Sequence, residues 1–464
     1  MLADRPRSTR TEQLHRLFHV VPHDALLLTV ASFRARPEIL FAVATRAVQT
    51  LVMLVAMLLV AFGMTPEEQG FFWVFLNLSS FITVGELGIP QIVLQNASHY
   101  AAIGDRMTLV RFSRRAFQFT AILTPVAGAT LLVAGALILG RDAPTNSDPL
   151  LGWRVPWVLF VVACCCERGL APALAYLEGS VSVARSWRIQ TVLEFCSGSV
   201  LVGSLLVSSG LWSLVWFESS RIVVSLAWIM SQRKYFGALS GPLLTIAEWK
   251  REILPFQWKV AVSGLTGFII FRSISPIVFS ELGSTAAGKF AVSLGLMSSW
   301  LAVASVWPLS QIPRLGRLAS LEDYLELRRS FIHMLFGATL FAGAGAAAIS
   351  VLAMIVDTCW PALASRMAES SATAILMGAA VIHTVIICFA VMLRSERKDP
   401  LLPFSVGGSV LTIVCISKAA QSGDLFFVAL VYFLLTALGL CFAPVLFVRS
   451  AAFTHMRNSR SGVD

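Results

Sequence analysis

The stretch TPEEQGFFWVFLNLSSF, from Thr65 to Phe81, decides how this chain is organised, because a related pattern returns as STAAGKFAVSLGLMSS, from Ser284 to Ser299. In both copies a short turn leads through a glycine and a phenylalanine into a long apolar run. The matched pairs, each 218 positions apart, are Gly70 and Gly288, Phe72 and Phe290, Val74 and Val292, Leu76 and Leu294, Leu78 and Leu296, and Ser80 and Ser298. Because this offset is close to half of the 464-residue chain, we predict two related halves.

The composition identifies the solvent around the apolar runs. Hydrophobic residues make up 56% of the chain and charged residues only 13%, and the mean hydropathy is +0.76. A soluble domain carries about 25% charged residues, so these few charges cannot cover a soluble body of this size. We predict an all-α polytopic membrane protein. The net charge of +10 lies in loops between apolar runs, which indicates membrane topology rather than binding to nucleic acid.

Twelve segments are apolar and long enough to cross a bilayer, since a spanning helix needs about 20 such residues. They are residues 39–63, 71–95, 118–140, 155–177, 189–209, 211–231, 258–280, 287–309, 331–356, 371–393, 401–420 and 425–448. Between the fifth and sixth spans, Ser208-Ser209-Gly210 supplies the turn. Each half then holds six spans, so both copies keep the same orientation and the repeat is parallel.

Lysine and arginine residues indicate the direction of the spans. With the N-terminus in the cytoplasm, 27 of them lie on the inner side, five on the outer side and four within spans. This asymmetry predicts that both ends are cytoplasmic. The predicted parts are an N-terminal tail (1–38), an N-lobe (39–231), an inter-lobe loop (232–257), a C-lobe (258–448) and a C-terminal tail (449–464).

Several stretches resemble one family. Gly70 and Phe72 precede a span that ends Val84-Gly85-Glu86-Leu87-Gly88-Ile89, and this resembles the start of the polysaccharide and O-antigen flippases. These belong to the multidrug/oligosaccharidyl-lipid/polysaccharide exporter superfamily, whose fold is MATE-like. Residues 282–290 look like the family's turn between spans seven and eight, and residues 307–315 with the charged segment 322–329 are similar to its next loop.

The resemblance implies two six-helix lobes in a V shape, in a multi-pass protein of the bacterial inner membrane. It implies a flippase that moves polyprenyl-diphosphate-linked oligosaccharide by alternating access, for O-antigen, capsule or exopolysaccharide synthesis. The expected partners are this substrate, membrane lipids, a polysaccharide polymerase and chain-length proteins. Many members carry an acidic residue in the seventh span, where this chain has Phe271-Arg272, so a cation site is not carried over to this position.

Charged residues inside the predicted spans are candidate functional groups, because charge in hydrocarbon is costly. They are Arg46, Arg168, Arg221, Arg272, Glu86, Glu167, Glu194 and Glu218. A lipid diphosphate is anionic, and arginine binds phosphate oxygens well. We therefore assign a substrate-binding cavity to Arg46, Arg272, Glu86, Gln49 and Asn77.

The depths of Arg46 and Glu86 are comparable and allow an ion pair between the first two spans. Such a pair is either structural or a gate or phosphate site at the inner mouth of the cavity, and both interpretations stay open. Arg272 lies near mid-depth of the seventh span, with no acid within four residues along its helix. This favours a substrate-facing role for Arg272 over an unseen structural partner.

A second group is assigned to gating or to a network within the N-lobe: Glu167, Arg168, Glu218, Arg221, Gly85, Gly88 and Pro90. Glu218 and Arg221 share a helix face, so we expect them to neutralise each other. Glu167 and Arg168 are adjacent and point about 100° apart, so we do not expect them simply to satisfy each other. The two glycines and the proline are expected to loosen or bend the second span. His383 is interpreted as a packing residue rather than a proton relay.

Three functions are compared. The flippase is favoured, without enzymatic activity, a cofactor or a metal, because the sequence has no GxxxxGK[ST] run, CxxC or Cys/His ligand spacing; coupling to an H⁺ or Na⁺ gradient is left open. A cation-coupled multidrug exporter of the same fold would need buried carboxylates, and the buried arginines count against cationic substrates. A polysaccharide polymerase or ligase would need a sizeable outer loop, and the longest, residues 141–154, is about a dozen residues.

Overall fold

The computed structural model describes residues 37–142, 152–181, 183–236, 242–321, 323–394 and 402–448. Across these residues the chain is helical, with seventeen α-helices and one short 3₁₀ turn. Most of the predicted N-terminal tail and all of the C-terminal tail lie outside the described residues. Residues 237–241 of the inter-lobe loop and 143–151 of the longest outer connection also lie outside them.

The helices of the first half overlap the predicted spans, but the predicted second span, 71–95, is divided between two helices, α2 and α3. Their bounds are α1 Pro37–Gly63, α2 Pro66–Gly85, α3 Ile89–Ile103, α4 Arg106–Leu139, α5 Arg154–Ser180, α6 Val183–Leu206 and α7 Trp212–Ser231. The predicted turn between the fifth and sixth spans is present, and both Ser208 (φ 56°) and Gly210 (φ 55°) adopt left-handed backbone there. Short helices α8 Arg233–Phe236 and α9 Ile246–Glu252 lie between the halves.

The second half contains the remaining helices. Their bounds are α10 Leu254–Arg272, α11 Ile274–Ser310, α12 Ile312–Ser320, α13 Tyr324–Cys359, α14 Pro361–Ala364, α15 Ser370–Arg394, α16 Leu402–Ala420 and α17 Leu425–Val448. Gly283 (φ 84°, ψ 176°) interrupts α11, at the turn that the sequence pattern predicts between spans seven and eight.

Ten stretches of the described residues are long and apolar enough to cross a membrane, or eleven if the bent pair α2 and α3 forms one span. One of the ten, Leu254–Ala319, runs over 66 residues, whereas a single crossing needs about 20. Predicted spans 258–280 and 287–309 lie on either side of its break at Gly283. The polytopic helical fold is confirmed, while the count of twelve spans and the direction of the termini stay predictions.

The start of α2 shows why the stretch from Thr65 to Phe81 forms a helix. Thr65 and Glu68 form a capping box, in which each side chain accepts a hydrogen bond from the other residue's backbone N–H, and Pro66 suits the first helical position. The aromatic side chains that follow are buried. The ring of Phe75 lies 4.7 Å from that of Trp157 in α5, and that of Phe71 lies 5.1 Å from Phe279 in α11.

The helices pack mainly within each half of the chain. In the first half, α1 packs on α6 and α5 packs on α3, α4 and α7; in the second, α15 packs on α11, α13 and α17, and α10 packs on α16. Helix α2 is the main exception, because it packs extensively against α11 and also contacts α10. The exact boundaries of the two predicted lobes stay a prediction, but α2 is the helix that joins the halves.

Candidate functional site

The two matched glycines of the repeat meet where α2 crosses α11. A Cβ atom on Gly288 would lie 2.9 Å from the backbone N of Gly70, and one on Gly70 would overlap the carbonyl group of Ser284. Beside this crossing, Gln69 Nε2 donates to the backbone O of Arg366 at 2.9 Å. The close approach seals the end of the interface that the predicted topology places outside.

Two predicted cavity residues are brought together between the halves. Arg272 Nη1 at the end of α10 lies 3.5 Å from Asn77 Oδ1 in α2. The amide of Asn77 is oriented by its Nδ2, which donates to the backbone O of Trp73 at 2.9 Å. Asn77 is buried whereas Arg272 stays exposed, so the guanidinium points from the second half towards the first.

The helix carrying Arg272 is irregular at this point. The N–H of Ser273 donates to the carbonyl of Phe268 at 3.1 Å, five residues earlier, which is the hydrogen bond of a π-type turn. Such widened turns often occur at functional sites. The predicted seventh span is therefore interrupted directly after Arg272.

A buried polar network lies behind Arg272 in the second half. The ring of Phe271 packs 4.8 Å from that of His383, and His383 Nε2 lies 2.9 Å from Tyr432 Oη. Thr436 Oγ1 is 3.4 Å from the same nitrogen. These contacts hold the end of α10 in place, which is a packing role for His383.

The ion pair that the depths of Arg46 and Glu86 allowed does not form. Arg46 is exposed and donates to Gln49 Oε1 on its own helix at 3.1 Å. Glu86 is only 2% exposed and lies towards α5, where the charges of Glu167 and Arg168 act on it. Glu86 lies at the break directly after α2, and its charged neighbours come from α5 rather than from α1. Glu86 is therefore not part of one polar surface with Arg46 and Gln49.

The break itself is the bend that Gly85, Gly88 and Pro90 were expected to produce. Helices α2 and α3 are bent by 48°, and Gly88 has φ 72° as the residue before α3. Leu87 has φ 51°, a strained conformation for a bulky residue. A Cβ atom at Gly88 would also overlap Val260 of α10, so this position requires glycine for both its backbone angle and its packing.

Arg221 in α7 is surrounded by carboxylates from three helices. Its distances are 2.9 Å to Glu194 in α6, 3.5 Å to Glu167 in α5 and 3.7 Å to Glu218 on its own helix. The expected pair of Glu218 and Arg221 is therefore present, but Glu218 is the most distant of the three carboxylates, and Arg221 also pairs with Glu194 and Glu167. Glu194 was counted among the charged residues inside the predicted spans but was assigned no role; the signal for it is a carboxylate in a predicted span, residues 189–209, that contains no lysine or arginine.

Arg168 and Glu167 do pair, contrary to expectation. Arg168 Nε lies 3.2 Å from Glu167 Oε2, because the long arginine side chain curls back across the 100° that separates neighbouring helix positions. Glu167 consequently bridges two arginines, Arg168 and Arg221. The six charged residues Glu86, Glu167, Arg168, Glu194, Glu218 and Arg221 are called the N-half cluster below.

Within the described residues, no group of three or more His, Cys, Asp or Glu side chains is arranged to hold a metal ion. The carboxylates around Arg221 face a guanidinium, so this part of the cluster is a network of ion pairs. Nothing in this geometry assigns a metal centre.

Comparison with solved structures identifies the fold. An inward-facing conformation of a multidrug resistance MATE family transporter of the MOP superfamily matches with TM-score 0.61 and 10% identity, over 87% of this chain and 97% of that chain. An outward-facing conformation of such a transporter matches with TM-score 0.57 and 12% identity, over 91% and 98%. A MOP superfamily transporter from Pyrococcus furiosus, described as having a binding pocket of reverse polarity that suggests a different function, matches with TM-score 0.52 and 13% identity, over 91% and 97%.

The chain therefore has the fold of MATE transporters of the MOP superfamily, and at such low identities the likeness concerns the fold alone. No protein-family model and no curated protein sequence matches the chain. The resemblance to the superfamily is confirmed at the level of architecture. The flippase subfamily is not decided by it.

Proposed function

We propose that this protein is an alternating-access transporter that flips polyprenyl-diphosphate-linked oligosaccharide across the bacterial inner membrane. The observation that carries the proposal is the pair Arg272 and Asn77, which faces across the two halves. In the described part of the chain, Arg272 forms no ion pair with a carboxylate, so its charge is available for an anion. A diphosphate between two sugars and a lipid is such an anion, and arginine binds it with directed hydrogen bonds.

The position of Arg46 supports a polar path to this pair. Its side chain is exposed and is bound only by Gln49 among the described residues. An arginine facing lipid well inside the bilayer would be costly, so a water-filled space between the halves is the better environment. The oligosaccharide would meet Gln49 and Asn77 as hydrogen-bonding groups along the same path.

The closed crossing at Gly70 and Gly288 supports an inward-open state. A crossing closed on the predicted outer side fits a substrate path that opens towards the cytoplasm, where lipid-linked sugars are made. Transport then requires the crossing to separate while the inner ends approach, which is alternating access around a fixed site. Polysaccharide polymerase and chain-length proteins would act on the released product at the outer face.

A cation-coupled multidrug exporter is the second candidate. It is favoured by the four carboxylates of the N-half cluster, which outnumber the two arginines, because carboxylates attract organic cations. The exposed Arg46 and Arg272 disfavour it, since they would repel such substrates from the space between the halves.

Deleting the gene in the native host and measuring lipid-diphosphate oligosaccharide in each leaflet tests the proposal. Accumulation in the cytoplasmic leaflet, with loss of surface polysaccharide and recovery by the wild-type gene, is expected. An unchanged distribution together with increased sensitivity to cationic drugs would favour the exporter. Accumulation in the outer leaflet would instead indicate a polymerase or ligase.

A further inference from the structure

The N-half cluster has an unbalanced charge. Its four glutamates and two arginines would sum to −2 if every group were ionised. Glu167, Glu194, Glu218 and Arg221 all lie within helices apolar enough to span a membrane, where unbalanced charge is expensive. At least one further positive charge is therefore needed to make this arrangement stable.

Glu86 is the member of the cluster that lacks a partner. The other three carboxylates each lie within 3.7 Å of an arginine nitrogen, whereas Glu86 forms no ion pair among the described residues. Its Oε1 atom is buried and has no hydrogen-bond partner there, and the residue is 2% exposed. A charged carboxylate that is buried without a donor is strongly destabilising, because its lost hydration is not replaced.

The surroundings of Glu86 come from three helices. Helix α5 presents Cys165, Glu167 and Arg168 towards it. Helices α4 and α10 reach the bend with apolar side chains, Ala127 at Gly85 and Val260 at Gly88. The only cation near Glu86 in this set is Arg168, and its guanidinium is already bound to Glu167 at 3.2 Å.

We propose that Glu86 is a proton-binding site that is occupied in this conformation and that exchanges its proton during the transport cycle. A bound proton makes the side chain neutral and removes the cost of its isolation. A metal cation is a poorer occupant, because among the described residues no three His, Cys, Asp or Glu side chains are arranged to hold one. The proposal goes beyond the proposed function and does not depend on which substrate is carried.

Loss of the proton has a structural consequence. A charged Glu86 would need the guanidinium of Arg168, which would have to leave Glu167. Glu86 directly precedes the strained Leu87 and the 48° bend, so re-pairing would act on the angle between α2 and α3. Proton occupancy would thereby bias the conformation of the helix that joins the two halves.

Carbodiimide labelling of the purified wild-type protein in lipid nanodiscs tests the proposal without any variant. Dicyclohexylcarbodiimide reacts with protonated carboxylic acids in apolar surroundings, and peptide mass spectrometry locates the adduct. Labelling of Glu86 near neutral pH, suppressed at alkaline pH, is expected. Labelling confined to Glu194 or Glu218 would overturn the assignment of the proton to Glu86.

Infrared spectroscopy supplies an independent readout. The wild-type protein should show the carbonyl band of one protonated carboxylic acid, and Glu86→Gln should lose it. Glu67→Gln, at an exposed acid in the first turn of α2, is the matched control and should keep the band. Absence of the band from the wild type, or its persistence in Glu86→Gln, would refute the proposal, whatever the outcome of the flippase assay.

Discussion

Gly288 lies against the backbone of Gly70, its counterpart 218 positions earlier. The repeat detected in the sequence is thus also a physical contact, in which equivalent turns of the two halves close one end of the interface. Because each glycine faces backbone atoms rather than a flexible side chain, neither position has room for a side chain while the crossing is closed.

We expect Gly288→Val to shift the protein towards states in which this crossing is open. Overpacking a tight contact costs about 1–3 kcal/mol, which changes the ratio of closed to open molecules by roughly 5-fold to 150-fold. Distances between spin labels on the outer ends of α2 and α11 would report the shift. Gly295→Val in the same helix, with no atom within 4 Å of an added Cβ, should leave the distances unchanged; an equal response in both variants would contradict the prediction.

Arg272→Ala should impair transport much more than expression. Losing a charge-assisted hydrogen bond to the substrate costs about 1.5–3 kcal/mol, so flipping should fall by roughly tenfold to a hundredfold. Arg272→Lys keeps the charge and should retain part of the activity. Surface polysaccharide and membrane abundance of each variant would be measured together. Normal transport by a well-expressed Arg272→Ala would remove Arg272 from the substrate site.

Arg221→Met should destabilise the protein strongly. It would leave Glu194 and Glu167 buried without their shared cation, and breaking a buried ion pair in this way costs about 3–5 kcal/mol. Thermal unfolding in nanodiscs would measure the loss. Adding Glu194→Gln to the variant should recover part of the stability, because one uncompensated charge is then removed. Additive losses in the double variant would show that Arg221 and Glu194 are not coupled.

The segment between the halves should loosen in acid. The backbone N–H and hydroxyl of Thr245, with the guanidinium of Arg111, lower the pKa of Glu248 from 4.5 to about 2. A lowered pKa in the folded state means that this stabilisation is complete above pH 4.5 and is lost as the pH falls towards 2. Hydrogen exchange of residues 242–252 after incubation across this range would detect the change. Glu248→Gln should exchange faster at neutral pH, whereas Glu252→Gln should behave as wild type.

Labelling of single cysteines would check the predicted direction of the chain. In a cysteine-free background, a cysteine at Glu67 should react with a membrane-impermeant maleimide added outside cells, and one at Asp105 should not. Both positions lie at helix ends outside the apolar runs. The reverse pattern would invert the topology and move the closed crossing to the cytoplasmic side.

Most of the architecture could be predicted because membrane spans are encoded locally. Apolar length sets the helices, and Thr65, Pro66 and Glu68 mark the start of α2 without reference to any partner. The break at Gly283 and the turn at Gly210 could also be predicted, since left-handed backbone favours glycine. Such signals depend only on neighbours in the sequence.

The partners of buried charges could not be predicted in the same way. Glu194 is 27 residues from Arg221 in the chain, yet it is the nearest carboxylate to that arginine, because helix rotation rather than spacing brings them together. The allowed pair of Arg46 and Glu86 failed for a related reason. The direction in which Glu86 faces is set at the bend, where Gly85 packs against α4 and Gly88 against α10. Asn77 and Arg272 meet because α2 crosses between the halves, which no local pattern encodes.

Helix α2 also carries a consequence for how tightly the cycle is coupled. Gly70, Asn77 and Glu86 are spread over about 24 Å of this one helix, at 1.5 Å per residue, and they contact the closed crossing, the arginine between the halves and the N-half cluster. A displacement of α2 therefore changes the contacts at all three places in the same step. For the crossing to open without a change at Arg272 or at the N-half cluster, α2 would have to break in its middle. Conformational cycles that move no substrate should accordingly be rare.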